Sequence, residues 1–331
     1  MPTTVRSTVL LTGFLSLAVL WFVPTALAQI PEGSDVYRVT QLDGNQDFDD
    51  FVVGPGKFDL VIAPGESAQA PITITNRSGE RKVFTITTED MAGSNDPLEA
   101  SVLLGDDRGP YTLRDFLQVT AAEFYLEPGQ RATVPVTVSL PFDAEPGGRY
   151  GSLLVQTAST GDMTENVPST AIVSRIAILY FVTTPGELER SGELINFNTL
   201  PDQSYFSKGP ISFGLLYENT GTVHTNPSGF VRIYNLFGTE VGTVPVQAWF
   251  ALPESTRLRE VTWERELLFG RYTAVAEISR GYGSIIDTRT TNFWVVDWMI
   301  LVAVGGGVFS ILFILRVLTS RFTIARRNDA Q

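Results

Sequence analysis

The sequence predicts an all-β protein: two tandem Ig-like β-sandwiches, preceded by an N-terminal signal peptide and followed by one C-terminal transmembrane helix. Three observations carry that expectation. Between residues 51 and 292, short apolar alternations are divided by Pro-Gly and Asn/Gly turns, and no helical period lasts ten residues. An uncharged apolar run lies near each end of the 331-residue chain. Finally, 44% hydrophobic residues with no cysteine describe domains held by packing, without disulfides.

Residues 1–28 have the make-up of a signal peptide. Arg6 precedes an apolar stretch that ends in Ala26-Leu27-Ala28, which sets cleavage between Ala28 and Gln29. Pro24 ends any helix just before the cleavage site and leaves the chain extended there. Residues 29–50, with Glu32, Asp35, Asp43, Asp47, Asp49 and Asp50, read as a flexible acidic lead-in.

The first sandwich is expected over 51–184. Its clearest signal is an internal echo in which residues 62–74 (IAPGESAQAPITI) match 126–138 (LEPGQRATVPVTV). In each copy Pro-Gly makes a turn, and a strand of alternating apolar residues follows. Ile72, Ile74, Val134, Val136 and Val138 should face inward, and Thr73, Thr75 and Thr137 should face water. Pro71 and Pro135 each remove a ladder donor, so they belong at a strand start, an edge or a bulge. Segments 82–90, 147–156 and 171–182 complete the domain, with a polar excursion over 91–111 and a linker at Thr183-Thr184-Pro185-Gly186.

The second sandwich, 188–293, is expected to hold strands at 192–199, 210–219, 229–237, 241–250, 257–264, 272–279 and 288–296. Leu252-Pro253-Glu254-Ser255-Thr256 is a degenerate third copy of the turn-plus-strand phrase. A transmembrane helix is expected over 295–318, since residues 298–315 carry no charge. Trp294 and Trp298 stand at one interface, and Arg316 and Arg321 begin the basic flank at the other. The arginines place the 319–331 tail in the cytoplasm and the sandwiches outside the cell, as a single-pass protein of the cell membrane in contact with the lipid bilayer.

Composition excludes several chemistries. A net charge of −12 with three lysines argues against nucleic acid as a partner. One histidine and no cysteine leave no material for a triad or a thiolate metal site, and neither Gly-x-Ser-x-Gly nor Ser-x-x-Lys occurs. No catalytic residue, metal or cofactor is therefore assigned. The acidic segment 43–50 has oxygen ligands at alternate positions, but Phe48 stands where a calcium loop needs glycine, and a solvated linker is the preferred reading. His224 lies in a turn cluster and is expected to face solvent, whereas Trp249 and Trp263 are expected to fill the core. The adjacent carboxylates Glu89 and Asp90 should point to opposite faces of a strand. Tyr111, Arg114, Arg149 and Tyr150 are the ligand-binding candidates, because forked arginine donors beside aromatic rings suit amide- and carboxylate-rich polymer.

The turn-strand 62–76, the phrase Gly109-Pro110-Tyr111-Thr112-Leu113-Arg114-Asp115-Phe116 and the opening Gly147-Gly148-Arg149-Tyr150-Gly151 together resemble the WxL-interacting protein family of bacterial cell-surface proteins. That resemblance implies a first domain that binds peptidoglycan or another envelope polymer, and a second that binds secreted surface proteins as a scaffold or adhesin. The alternative weighed beside it is a chaperone-like sandwich that assists assembly of secreted surface subunits, and a long unpaired strand edge in the first domain would favour it.

Overall fold

The computed structural model describes residues 36–42, 47–158 and 173–321. The first sandwich holds β1 (Arg38–Gln41), β2 (Phe51–Gly54), β3 (Lys57–Val61), β4 (Ser67–Gln69), β5 (Ile72–Asn76), β6 (Lys82–Ala92), β7 (Val102–Leu103), β8 (Leu117–Val119), β9 (Glu123–Leu126), β10 (Gln130–Val134), β11 (Val136–Ser139), β12 (Gly147–Ala158) and β13 (Val173–Thr184). Two ladders, β1-β10-β5-β2 and β4-β11-β8, face a sheet ordered β3-β13-β12-β6-β7, in which β9 also pairs with β6.

The internal echo is the spine of this domain, because its two copies pair with each other. Gln69 lies opposite Thr137 and Ile72 opposite Val134, so the register brings Pro71 face to face with Pro135. With both donors missing, the ladder breaks there, and each chain passes from one ladder to the next. The alternation runs through the break: Ala132, Val134, Val136 and Val138 are all fully buried, as are Ile72 and Ile74. Each copy opens with a Pro-Gly turn closed by a backbone bond, Glu66 to Ala63 and Gln130 to Glu127. Gly65 and Gly129, at φ +78° and +76°, occupy the left-handed position that such a turn demands.

The second sandwich holds β14 (Gly192–Leu200), β15 (Tyr205–Phe206), β16 (Ile211–Asn219), β17 (Ser228–Asn235), β18 (Glu240–Val246), β19 (Ser255–Trp263), β20 (Gly270–Ser279) and β21 (Ile286–Val295). Its sheets are β14-β16-β19 and β15-β21-β20-β17-β18. Trp249 and Trp263 are buried in its core, as expected. The third copy of the turn phrase sits where the second does in the first domain, with Glu254 at φ +53° in the glycine position. A shared device locks both places. Asn76, at the end of β5, donates to the carbonyls of Glu80 and Leu126, and Asn219, at the end of β16, donates to those of Val223 and Ala251. Both asparagines are fully buried.

Several expectations need correction. The lead-in 29–50 contains β1, which pairs with β10, because Val36 and Tyr37 pack on the first core and carry the polar strand to an open edge. Asp43 and Asn45 of the acidic segment lie outside the described residues, and among the described residues no acidic cluster could hold a metal ion. Thr75 is buried, because Arg131, directly opposite it, donates from Nε to its hydroxyl at 2.9 Å. Thr183 and Thr184, read as linker, remain in β13 opposite Gly148 and Gly147. The last helix, α1 (Trp298–Arg321), starts three residues later than 295, because Val295 still pairs with Gly270 in β21. It contains one segment apolar and long enough to cross a membrane, Leu301–Ser320, with mean hydropathy 2.3 and none of it buried. Trp298 opens this helix, Arg316 lies on its last turns and Arg321 ends it. Ala28 and Gln29 lie outside the described residues, as do residues 322–331.

Candidate functional site

Asp90 organises one end of the first domain. It is fully buried on β6. Its carboxylate accepts from the Thr112 hydroxyl at 2.5 Å, from the backbone N–H groups of Leu113 and Arg114 at 2.9 Å, and from that of Gly109 at 3.3 Å. Burial alone would raise its pKa, but these donors outweigh it and hold the carboxyl below the usual range. The Gly109–Phe116 phrase is thus a loop folded over a buried anion. Glu89, on the opposite face, pairs with Arg175. The two neighbouring carboxylates point apart, as strand geometry requires.

Beyond that loop the two sandwiches meet. Met91, Tyr150 and Phe181 of the first domain form a small core with Leu252 of the second, and Tyr111, Leu179 and Phe250 pack around it. Strand alternation explains the split: Ile178, Tyr180 and Val182 of β13 face the first core, while Leu179 and Phe181 face the second domain. Polar groups frame the contact. The hydroxyl of Tyr150 accepts from the backbone N–H of His224 at 2.6 Å and lies 3.2 Å from His224 Nδ1. His224 Nε2 lies 3.2 Å from Asp59. That hydrogen bond, and the nearby Lys57, lower the pKa of Asp59 against the opposing effect of burial. Lys57 Nζ stands over the Phe181 ring, 4.9 Å from its centroid. Three further bonds cross the joint, from Tyr111 to Glu254 at 2.9 Å, from Leu258 N–H to the Pro97 carbonyl at 2.8 Å and from Gly148 N–H to the Thr222 carbonyl at 3.2 Å. The polar excursion over 91–111 therefore shares the joint with β3, β12 and β13.

His224 does not face solvent as its turn cluster suggested. It is 7% exposed, because Tyr150, Asp59 and Phe181 of the other domain pack on it. The four ligand-binding candidates do not form one surface. Tyr150 is fully buried, with its pKa pushed up by that burial. Tyr111 is spent on Glu254, and burial followed by that bond pushes its phenol up to about 12. Arg149 donates to the Glu145 carbonyl and to Thr184. Arg114 bonds the Gly105 carbonyl beside Asp106. In a polar cleft elsewhere, lined by Glu193, Glu218 and Arg280, the one cation is already paired, because Asp287 grips Arg280 through several hydrogen bonds.

A different feature remains open. β12 and β13 form a long hairpin paired from Gly147–Thr184 to Ala158–Val173. On its outer side β13 is covered by β3 only from Leu179 to Thr183. Among the described residues no strand pairs with the outer edge from Val173 to Ile178. Ser174 and Arg175 are exposed there, while Ile176 and Ile178 turn toward the core. Sequence reasoning could name this strand but not its neighbours, since pairing is a property of the folded sheet.

No family model matches the chain, and no characterised protein matches it by sequence. Among solved structures it is similar to the class 5 fimbriae chaperone CfaA at 14% identity and a TM-score of 0.36, over 74% of this chain and 99% of that one. It is also similar to the E. coli chaperone DraB at 16% identity and a TM-score of 0.32, over 74% of this chain and 95% of that one. The Pseudomonas aeruginosa CupB2 chaperone is a third, at 14% identity and a TM-score of 0.33, over 74% and 100%. Likeness at this level concerns chain architecture alone.

Proposed function

We propose that the chain is an exported, non-enzymatic module held at the cell membrane by α1, which engages secreted surface proteins by offering them the open edge of β13. The observation that carries this reading is the stretch of β13 from Val173 to Ile178 that no strand among the described residues covers, beside a strand, β3, that already shows how another segment adds to that edge. An extended segment laid there would gain main-chain hydrogen bonds, and its side chains would meet Ile176 and the exposed rim. The sandwiches are locked to each other by Tyr150, Phe181 and Leu252, so the edge is presented in a fixed orientation above the membrane. Recognition of wall polymer, which the family resemblance implies, would need Tyr111, Arg114, Arg149 and Tyr150 to act together. Tyr150 is buried, and Tyr111, Arg114 and Arg149 are held by partners within the protein, which is the reason edge pairing is preferred.

Because the chain lacks cysteine, a single Ser174→Cys substitution gives a unique handle at the edge. Photo-crosslinking from that position in intact cells should yield adducts with exported proteins. A purified adduct partner should then slow hydrogen exchange of the backbone over 173–178. Equal adducts from Leu98→Cys, on a remote exposed position, or no protection at the edge, would refute the proposal. Adducts with wall fragments alone would return the polymer reading.

A further inference from the structure

One end of the second sandwich carries a set of exposed apolar side chains that neither core uses. The β-ladders locate them. Trp294 pairs with Arg271 at the end of β21, and Asn235 pairs with Tyr272 on the neighbouring strand, so the β17–β18 turn with Leu236 and Phe237 lies at that same end. The β19–β20 loop with Leu267 and Phe269 follows Trp263 there, and Gly209 N–H bonds the Glu266 carbonyl within it. Tyr205 pairs with Trp294. Phe237 is 88% exposed and Leu267 87%. Isolated apolar side chains on a surface need no explanation, but several gathered on one end of a domain do.

This is the end from which α1 leaves. Val296 still bonds to the Phe206 carbonyl, and Asp297 already caps the helix by accepting from Met299 N–H at 2.8 Å. No slack chain separates sheet from helix. Three extended residue steps span about 10 Å at most, so the end of β21 sits within that distance of the first helical residue. Resting on the reading that α1 spans a bilayer, we infer that this end of the second sandwich docks on the membrane. Leu236, Phe237, Leu267, Phe269, Tyr205 and Trp294 enter the interface, and Trp298 sits at the helix entry. The occupant is the zwitterionic headgroup and upper acyl region, not an anionic surface. Lys208, Arg265 and Arg271 at this end are offset by Asp202, Glu264, Glu266 and Asp297, so charge supplies no net attraction, and apolar and aromatic burial drives the contact. The consequence is a domain pinned at both helix and loops, which holds the β13 edge at a set height.

The test uses the full chain in phosphatidylcholine vesicles, with an environment-sensitive dye on single cysteines. Thr239→Cys and Glu266→Cys label the two loops while keeping Phe237 and Leu267. Ile311→Cys reports the helix, and Val83→Cys, at the end of β6 away from the joint, reports the remote first domain. Nitroxide lipids should quench the dye at 239, 266 and 311 and leave 83 unquenched. Combining Phe237→Ser with Leu267→Ser should abolish quenching at 239 and 266 but not at 311. Quenching at 311 with none at 239 and 266 would overturn the docking and leave the anchor standing. No quenching at 311 would remove the anchor, and the docking with it. A requirement for anionic lipid would overturn the apolar mechanism.

Discussion

Tyr150 of the first sandwich accepts a 2.6 Å hydrogen bond from the backbone N–H of His224 in the second, so one phenol closes the joint between domains. Its ring also packs edge-on against Phe181 and the His224 imidazole. Domains joined by a short linker move relative to each other unless their interface is substantial and apolar. Here each large side chain buried across the joint contributes about 2 kcal/mol, and the phenol supplies the polar match.

Tyr150→Phe keeps the ring contacts but leaves the His224 N–H buried without an acceptor, a cost of about 1–3 kcal/mol. The expected result is a joint that opens before either sandwich melts. Calorimetry should give one coupled transition for the native chain and two for the variant, and small-angle scattering should show a broader distribution of lengths for the variant. A single unchanged transition would show that the hydroxyl is not what couples the domains.

Asn76→Ala and Asn219→Ala should cost similar amounts, each about 1–3 kcal/mol for every buried carbonyl left without its donor. Each asparagine ties the carbonyl four residues after it to a carbonyl at the opening of a turn phrase, Leu126 or Ala251. Urea titration should place the first loss in the melting of the first domain and the second loss in the other. Asn198→Ala, whose amide reaches only the exposed Asp202, should stay within about 0.5 kcal/mol of the native chain.

Asp90 has a folded-state pKa below the ordinary carboxylate value of about 3.9, so its stabilisation is fully present above that value and is lost as pH falls through the lower one. Asp90→Asn should therefore weaken the first domain at neutral pH. The gap between variant and native protein should narrow below about pH 4. Urea midpoints measured from neutral to acid pH would show the convergence. Parallel curves across that range would mean that the four donors do not hold the charged form.

Much of this architecture could be read directly from residue order. Alternation in 72–74 and 134–138 named the buried residues of both echo strands, and the Pro-Gly pairs named their turns. Strand segments of the second sandwich fall within a few residues of those observed, because turn chemistry and period-2 burial are local properties. The buried tryptophans followed from their strand positions, and the apolar run that became α1 followed from composition. What could not be read were the partnerships. Tyr150 looked like a strand-end ring free to meet a ligand, and His224 looked like a loop residue in water, because each is covered by a segment about seventy residues away.

The chain order alone determined that this is a β protein with an apolar C-terminal helix, since hydrophobic period, turn residues and charge act over a few neighbours. Only the folded chain decided that the prolines 71 and 135 confront each other, that Asp90 gathers the 109–116 loop, and that β3 covers β13 only from Leu179 to Thr183. Those outcomes depend on which strands become neighbours, and that is settled by the packing of two sandwiches as wholes, where apolar area buried between distant segments outweighs the preferences of any one of them.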